Sequence, residues 1–529
     1  NNDFTVNAGT TLSVNNSVSI AGNFTNTSTG IITYSGTPTV TMTGTSKNLA
    51  GGAGAVTLYN LTVSGSTAIA SAITVANDMT NNGTTSGSVN VTVNGNVVGT
   101  GAVNMSGGTF KQRVAAGKNF GTTSGASTWT FSTLTLSNSS GSPITITTQS
   151  GGSGTITASA LNIGEGGDSS TTTLDAANRS FIISGTGAPV TLNASSGVTA
   201  STSTFTYTGT GSVTLGNFSY YSLATNGSGT YSPAASPLTA TNNVTVTLGT
   251  LSLGANNLNV GSSAVTNSGG ISVAGTLSQT SGTVTVVSSS AGAATIGGAG
   301  TLTFYNLSFL PTVASAPTFT LGSAGSQTIT VANDLTIGNG TNGAIVTANT
   351  NNPIIDINGS LSIAASGTFT APPSSSFTIA KNMTNNGTFN NNSGTVTFDT
   401  TNTSVFDGSA TPAIQFNNLK SIIPNKTLSF TASKTFRIDG LFTATGALGN
   451  RINIQSTTST QWLINLQGTS SITFALVTNS GCSGSLDVTL DTSNADGGNN
   501  GACWVFSGPG VINSSIQGNT RIQGNVRFK

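Results

Sequence analysis

Carboxyl groups that could do chemistry are scarce in this chain, and the first group lies in GEGGDSSTTTLD (164–175). Glu165, Asp168 and Asp175 could supply the paired carboxylates that glycoside hydrolysis needs. The segment has no His or Lys to complete an acid–base pair. Asp next to Gly is also an ordinary former of turns. We therefore expect these three residues to lie in turns.

A second acidic group lies in DVTLDTSNADGG (487–498). Asp487, Asp491 and Asp496 stand close to Asn carbonyl groups, so they are weak candidates for a calcium site. Their spacing departs from the Asp-x-Asp-x-Asp-Gly pattern of known calcium loops, and turns explain it better. The sequence also lacks His, a phosphate-binding loop, zinc-ligand spacing and a G-x-S-x-G motif. We expect no catalytic residue, cofactor or metal, and we do not expect an enzyme.

Basic residues form one modest group close to acidic residues. A charged edge on an otherwise neutral fold is the interpretation we favour, and an ion-paired contact with a neighbouring molecule is the alternative. The basic residues are Lys420, Lys426, Lys434 and Arg437, and the acidic ones are Asp399, Asp407 and Asp439.

The elements that position these residues follow from composition. Charged residues make up 5% of 529, against about 25% in typical soluble domains, and the net charge is +1. Hydrophobic residues make up 35%, below the usual content of about 45–50%. The chain instead contains 68 Gly together with many Thr, Ser and Asn residues. No basic patch suited to nucleic acid and no run of about 20 apolar residues suited to membrane insertion occurs. Apolar residues alternate with Thr or Ser, as in VTVTLGTLSL (244–253), which predicts strands with one buried face.

Internal repeats organise these strands. ITVANDMTNNG begins at residue 73, and ITVANDLTIGNG begins at 329. Two other motifs precede each copy in the same order: GIITY at 30 and GTVTV at 282, then VTLYNL at 56 and LTFYNL at 302. A third series consists of GTVTF at 394, IQFNNL at 414 and IDGLFT at 438. The series recurs with a superperiod of about 55–59 residues. Between residues 90 and 270 the superperiod is blurred.

Steps of about 22 residues with two or three short strands are typical of a solenoid whose coils stack about 4.8 Å apart. We therefore predict an all-β protein, a parallel β-helix of roughly 24 coils. In this fold Val75 and Met79 should take the inward places that Val331 and Leu335 take in a later coil.

Bends and core residues can be predicted on the same basis. Asn77-Asp78 and Asn333-Asp334 should form bends in left-handed backbone, which Asn and Asp tolerate better than most residues. The three tryptophans lie in alternating segments and are expected in the core. They are Trp129, Trp462 and Trp504.

The succession GTVTF, FYNL and VANDLT resembles the repeats of right-handed parallel β-helix proteins of bacterial cell surfaces, including adhesins and autotransporter passengers. The resemblance covers the chain to about residue 510 and is one of repeat pattern. It implies a right-handed coil and an exported structural or adhesive protein. We accordingly expect an extracellular or cell-surface location, reached after removal of a signal sequence.

The only two cysteines, Cys482 and Cys503, are 21 residues apart, about one coil. Equivalent positions on successive coils lie about 4.8 Å apart, inside the 4.4–6.8 Å Cα separation that a disulfide accepts. We predict a disulfide between them. The expected organisation is solenoid repeats in 1–470, disulfide-linked last coils in 471–510, and an extended tail in 511–529.

The ends of a solenoid carry strands that lack a partner on one side, and they need a cap or another chain. The chain starts in strand-like alternation at Phe4, Val6, Leu12 and Val14, with no segment before them that could form a capping helix. We expect this N-terminal coil to accept the tail of another copy by strand addition. The tail residues expected to take part are Ile516, Arg521, Ile522, Val526, Arg527, Phe528 and Lys529.

Three functions are compatible with these expectations. The first is a rod-like structural subunit that assembles head to tail into a homopolymer, a fibre or a surface layer, because such contacts do not close. The second is a monomeric adhesin that binds glycans or other cell-envelope components. The third, a polysaccharide-degrading enzyme, is the least expected because the acids are few.

Overall fold

The structure is a computed structural model that describes residues 3–507 except 28, 53, 150, 194, 288–292, 313–315, 325–326 and 375. It is all-β, and its strands stack in parallel as a β-solenoid of about 21 turns. The predicted parallel β-helix is confirmed, whereas the expected 24 coils are too many. None of the described segments forms a helix of the length and hydrophobicity that crossing a membrane requires.

The described residues divide into two compact units. Unit 1 comprises 3–377 and 386–392, and unit 2 comprises 378–385 and 393–507. Strand β44 (Phe377–Ile379) contributes residues to both. The boundaries expected at 470 and 510 stay predictions.

The strands of unit 1 are β1 Phe4–Val6, β2 Thr11–Val14, β3 Val18–Ile20, β4 Phe24–Asn26, β5 Ile31–Tyr34, β6 Thr39–Met42, β7 Lys47–Gly51, β8 Ala55–Leu58, β9 Asn60–Val63, β10 Ser66–Ile69, β11 Ile73–Val75, β12 Met79–Asn81, β13 Thr84–Gly87, β14 Val91–Val93, β15 Val97–Gly99, β16 Ala102–Val114, β17 Lys118–Thr122, β18 Trp129–Asn138, β19 Ile144–Thr148, β20 Ile156–Ile163, β21 Thr172–Asp175, β22 Ser180–Ile183, β23 Val190–Leu192, β24 Gly197–Thr199, β25 Thr204–Tyr207, β26 Ser212–Leu215, β27 Ser222–Pro233, β28 Leu238–Ala240, β29 Val244–Gly254, β30 Leu258–Val260, β31 Ile271–Val273, β32 Thr276–Gln279, β33 Thr283–Val286, β34 Ala293–Gly297, β35 Thr301–Phe304, β36 Asn306–Phe309, β37 Thr318–Leu321, β38 Thr328–Val331, β39 Leu335–Ile337, β40 Ile345–Thr347, β41 Ile354–Ile357, β42 Leu361–Ile363, β43 Thr368–Thr370 and β46 Thr388–Asn390.

The strands of unit 2 are β45 Met383–Asn385, β47 Thr395–Phe398, β48 Ser404–Gly408, β49 Ile414–Phe416, β50 Asn418–Ser421, β51 Thr427–Phe430, β52 Thr435–Ile438, β53 Leu441–Thr445, β54 Ile452–Ser456, β55 Trp462–Leu466, β56 Thr469–Thr473, β57 Ala475–Thr478, β58 Ser480–Cys482, β59 Val488–Leu490, β60 Ala495–Asp496 and β61 Trp504–Phe506.

Three strands make one coil in the first part of unit 1. Strands β1, β2 and β3 pair in parallel with β4, β5 and β6, which pair in turn with β7, β8 and β9. Burial alternates along each strand, so that in β6 Val40 and Met42 face inward between half-buried threonines. Only one face of each strand needs an apolar residue, which explains why a hydrophobic content of 35% is sufficient.

Long strands explain why the superperiod is blurred between residues 90 and 270. Strand β16 is 13 residues long and pairs with both β13 and β14, so it replaces two short strands of a coil. The same fusion occurs in β18, β20, β27 and β29. In β16 and β29 a glycine with positive φ, Gly108 and Gly249, lies inside the continuous strand, so the corner persists only as an irregularity and the boundary between two short strands is lost.

Coil length varies more than the sequence repeats indicate. Residues hydrogen-bonded across adjacent coils are 18 apart at Asp78 and Asn96, but 29 apart at Asn162 and Thr191. The longer coils place extra residues in loops, so fewer coils fit into the same chain. This variation accounts for about 21 turns where 24 were expected.

The two similar stretches at 73 and 329 occupy equivalent places. Val75 pairs with Leu58 of the previous coil, and Val331 pairs with Phe304. Met79 and Leu335 likewise pair with an inward leucine of the previous coil, and all four residues are buried, as predicted.

The predicted left-handed bends at Asn77-Asp78 and Asn333-Asp334 are wrong. None of the four is among the left-handed residues of the described chain. The bends are instead held by the Asn of the YNL motif on the previous coil. Asn60 Oδ1 accepts hydrogen bonds from the Asp78 N–H at 3.2 Å and the Asn77 amide at 3.0 Å. Asn306 Oδ1 does the same for Asp334 and Asn333.

These side-chain bonds continue from coil to coil as ladders. Asp78 Oδ1 accepts from the N–H of Asn96 at 2.7 Å, and Asn96 Oδ1 accepts from the N–H of Asn119 at 3.0 Å. Asp334 Oδ1 similarly accepts from the N–H of Ser360 at 2.8 Å. The ladders satisfy backbone groups at corners, where strand pairing is interrupted.

Unit 2 has the same three-strand stacking with an aromatic core. Strands β48, β51, β54 and β57 form one ladder, and β49, β52, β55 and β58 form another. Phe430 stacks on Phe406 with ring centroids 4.5 Å apart and on Trp462 at 3.9 Å. Such rings supply much of the buried apolar area of these coils.

The predicted disulfide joins Cys482 to Cys503, with their Cα atoms 6.0 Å apart. The expected registry is wrong in one respect, because the two residues do not occupy equivalent places on paired strands. Strand β58, which contains Cys482, pairs with β55, whereas β61, which follows Cys503, pairs with β59. The Cys503 N–H also donates to Cys482 Sγ at 3.0 Å.

Replacing Asn306 with Ala should destabilise its coils by about 1–3 kcal/mol, because two donors lose their acceptor in a half-buried corner. Hydrogen exchange of the amides in β36 and β39 measures this loss. The exposed Asn178 replaced with Ala is the control and should change nothing there. Equal protection in Asn306→Ala and wild type would contradict the role given to the corner ladders.

Replacing both Cys482 and Cys503 with Ser should destabilise the last coils by about 3 kcal/mol, because the loop between them is no longer closed in the unfolded chain. Hydrogen exchange in β58–β61 should accelerate, and exchange in β1–β6 should not. Adding a reductant should reproduce the effect in wild type and have none in the double variant. Free thiols at both positions in native protein would disprove the bond.

Candidate functional site

The first acidic group is tied into the fold by contacts within its own turns and by contacts to other coils. Glu165 forms a 2.6 Å ion pair with Lys111. Asp168 Oδ2 accepts a hydrogen bond from the backbone N–H of Glu165 at 2.8 Å, and Asp175 Oδ1 accepts from the N–H of Ala177 at 3.0 Å. These are contacts of turn residues and of one ion pair.

The second acidic group is also engaged in turns. Asp491 Oδ1 accepts from the N–H of Ser493 at 2.9 Å, and Asp496 Oδ1 accepts from the N–H of Gly498 at 2.8 Å. Asp487 is exposed directly before β59. Among the described residues, no three Asp, Glu, Cys or His side chains are placed to hold a metal ion. The weak calcium candidates are therefore not brought together.

The basic group is partly paired within unit 2. Lys434 lies 2.7 Å from Asp407, and Arg437 lies 2.5 Å from Asp439. The Lys434 ion pair holds the pKa of the Asp407 carboxyl below its usual value, against an opposing effect of partial burial that is the largest single contribution. Both pairs are half-exposed, which fits the expected charged edge. Contact of this group with another molecule stays a prediction.

Lys426 departs from that expectation because it is buried. Its ammonium donates to the carbonyl oxygens of Thr400 at 2.9 Å and Asn402 at 2.8 Å. It also lies 5.9 Å from the centre of the Phe398 ring. Burial lowers the pKa of Lys426 to about 8, while the nearby Asp399 carboxylate opposes the shift. Lys426 thus joins backbone groups inside the coil rather than marking an edge.

The tryptophans are in the core, as predicted. Trp129, Trp462 and Trp504 are each 4% exposed or less. The indole N–H of Trp129 donates to the Gly101 carbonyl at 2.9 Å, and that of Trp462 donates to Ser480 Oγ at 2.7 Å. Their rings are therefore not available to stack on a sugar at the surface.

The first coil, defined as strands β1–β3 (residues 4–20), is the candidate site. In the described chain β1 pairs only with β4, β2 only with β5, and β3 only with β6. The opposite edges of the three strands carry backbone N–H and C=O groups without a strand partner in that part of the chain. Such edges are templates for the addition of another strand.

The first coil also exposes apolar side chains at this edge. Phe4 is 42% exposed and Val18 is 40% exposed, although both extend inward ladders. The Phe4 ring contacts the Phe24 ring of the next coil edge to face, with centroids 5.5 Å apart. A cavity of about 190 Å³ opens beside them and is almost entirely apolar. Its lining residues are Phe4, Leu12, Val14, Asn15, Asn16, Val18, Ile20 and Phe24.

Three of the four predicted acceptor residues line this cavity, and one does not. Phe4, Leu12 and Val14 do, whereas Val6 is 4% exposed and lies outside the lining. Val6 ends β1 and belongs to the covered part of the coil. Sequence reasoning missed Val18, although the alternation in NNSVSI (15–20) places it on the same face as Ile20.

The far end of the described chain also has a strand with one partner. Strand β61 pairs only with β59 there, and its Val505 is 41% exposed. The predicted assembly tail, from Ile516 to Lys529, lies outside the described residues.

The disulfide is compatible with an extracellular protein. A search against family models, curated proteins and solved structures finds no match to this chain.

Raising the pH from 7.5 to 9.5 should stabilise the coils around Lys426 by about 1–2 kcal/mol. Its folded pKa of about 8 lies below the ordinary 10.5, so over this range the unfolded chain binds the extra proton. Stability therefore rises with pH through this window. Hydrogen exchange of β51, corrected for intrinsic rates, is the measurement.

Lys426→Met should remove this pH dependence, and Lys420→Met at a half-exposed position should keep it. The same pH dependence in Lys426→Met and wild type would disprove the assignment to Lys426.

Proposed function

We propose that this chain is an extracellular structural protein whose copies assemble end to end through the first coil. The observation that carries the proposal is the apolar cavity beside the open edges of β1–β3. Open strand edges favour the addition of β-structure, and the exposed Phe4 and Val18 add an apolar contribution.

The expected occupant of the first coil is a strand from a second copy. Strands β4–β6 already cover one edge of β1–β3 by parallel pairing in register, with Phe4 opposite Phe24 and Val18 opposite Val40. A strand of the same alternating type would cover the other edge with the same geometry. Burial of Phe4 and Val18 would contribute roughly 1–3 kcal/mol each.

Charge does not oppose such assembly. The chain has 14 basic and 13 acidic residues in 529, so copies repel each other weakly. Asp3 directly precedes the first coil, and its carboxylate accepts hydrogen bonds from the backbone and side chain of Asn23 and is near the opposite charge of Lys47. Association is thus expected to depend on apolar contact and strand pairing more than on salt.

The proposed donor is the tail 511–529, with β61 and its exposed Val505 as the adjoining edge. Contacts between one end and the opposite end of the next copy do not close, so they generate a filament. A glycan-binding adhesin stays the alternative. Its usual aromatic platform is not supplied by the three buried tryptophans.

Val18→Asp should prevent polymer formation at low micromolar concentration while leaving the fold intact, because an unpaired carboxylate would be buried in the contact. Phe4→Asp should have the same effect. Leu248→Asp, at a 53% exposed leucine elsewhere in unit 1, is the matched control and should assemble normally. Analytical ultracentrifugation and negative-stain microscopy measure the outcome.

Deleting residues 511–529 should leave folded monomers that no longer polymerise. Adding the peptide 511–529 to full-length chains should cap the first coil and shorten filaments. A wild-type chain that stays monomeric at high concentration, or filaments unaffected by Val18→Asp, would sink the proposal. Filaments lost in Val18→Asp but kept after the deletion would overturn the tail as donor.

A further inference from the structure

Unit 1 contains a buried cation that the proposed assembly does not use. Arg179 follows β21 and is 1% exposed. Its guanidinium donates to Thr122 Oγ1 at 2.8 Å, to the Thr122 carbonyl oxygen, and to the Gly154 carbonyl oxygen at 3.3 Å. Its Nε–H has no hydrogen-bond partner among the described residues.

In the part of the chain that the structure describes, the guanidinium of Arg179 donates hydrogen bonds only to neutral oxygen atoms. No described carboxylate lies within ion-pair distance of the guanidinium. Burial lowers the pKa of Arg179 from its ordinary value, with no opposing carboxylate among the causes. A buried guanidinium without a counterion costs several kcal/mol, so an anion at this place would be stabilised.

A cavity of about 270 Å³ has Arg179 among its lining residues. Glycine is needed at position 152, because a Cβ there would lie 2.8 Å from Arg179 Nη2 and would collide with the Thr122 hydroxyl. Cavity and guanidinium are therefore close neighbours. The lining residues are Gly151, Gly152, Ser153, Asn178, Arg179 and Ser180.

We propose that this cavity is a binding site for an oxyanion group, a phosphate, sulfate or carboxylate, held by Arg179. Three N–H donors of the guanidinium are already used within the fold, and the Nε–H is the donor left without a partner in the described chain. A planar guanidinium is the group that matches oxyanion geometry. Ser180 and Asn178 also line the cavity, and the lining includes no acidic residue that would repel an anion.

Isothermal titration calorimetry of the 529-residue chain with inorganic phosphate, at constant ionic strength, tests the site. One phosphate per chain should bind saturably. Arg179→Met should abolish binding, whereas Arg113→Met, at an exposed arginine, should leave it unchanged.

Asn178→Asp keeps the test decisive if Arg179→Met fails to fold. Asn178 is exposed, and a carboxylate at the cavity wall should weaken phosphate binding at least roughly fivefold by repulsion. A parallel titration with galacturonate distinguishes the source of the group, since tighter binding than phosphate indicates a sugar acid. Absence of saturable binding of either ligand, or phosphate affinity unchanged in Asn178→Asp, would overturn the proposal.

Discussion

Parallel pairing between successive coils is the interaction on which the rest of this structure depends. In the described part of the chain, the strands find their backbone partners in neighbouring coils, because that part contains no helix and its antiparallel pairing is limited to an isolated bridge between Ala447 and Asn450. This requirement fixes one inward and one outward face on each strand and permits a chain in which 35% of residues are hydrophobic. It also concentrates unsatisfied backbone groups where a strand has a partner on one side only, as in the first coil.

The corners between strands impose a second constraint. Hydrogen bonding between strands is interrupted there, so backbone N–H and C=O groups need other partners. Asn and Asp side chains meet it by accepting from backbone N–H groups of the next coil, as Asn60, Asp78 and Asn96 do in succession. Buried cations meet the complementary need for donors. Lys426 and Arg179 each donate to carbonyl oxygens inside the coils. The high Asn content and the two interior charges thus have a structural explanation in the same constraint.

Our proposals rest on the groups that the fold itself leaves without a partner in the described chain. The acidic groups are occupied with turns and one ion pair, and the tryptophans with core packing. Apolar surface beside open strand edges remains at the first coil, and an unpartnered N–H donor remains on Arg179. The end-to-end assembly and the oxyanion site that we propose would use these two features.

The sequence alone determined the fold class, because period-two alternation and repeats specify stacked strands whatever their order. It placed Val75, Met79 and the tryptophans inside, and it paired the cysteines from their spacing. Tertiary structure decided what depends on neighbouring coils. The fused strand Ala102–Val114 pairs with two strands of the previous coil and has a register irregularity between Met105 and Thr109. Asn77 is held by Asn60 rather than by its own backbone. Burial of Arg179 and Lys426 could not be predicted, since the carbonyl oxygens that accept from them lie 24–57 residues away along the chain and meet them only in the stacked coils.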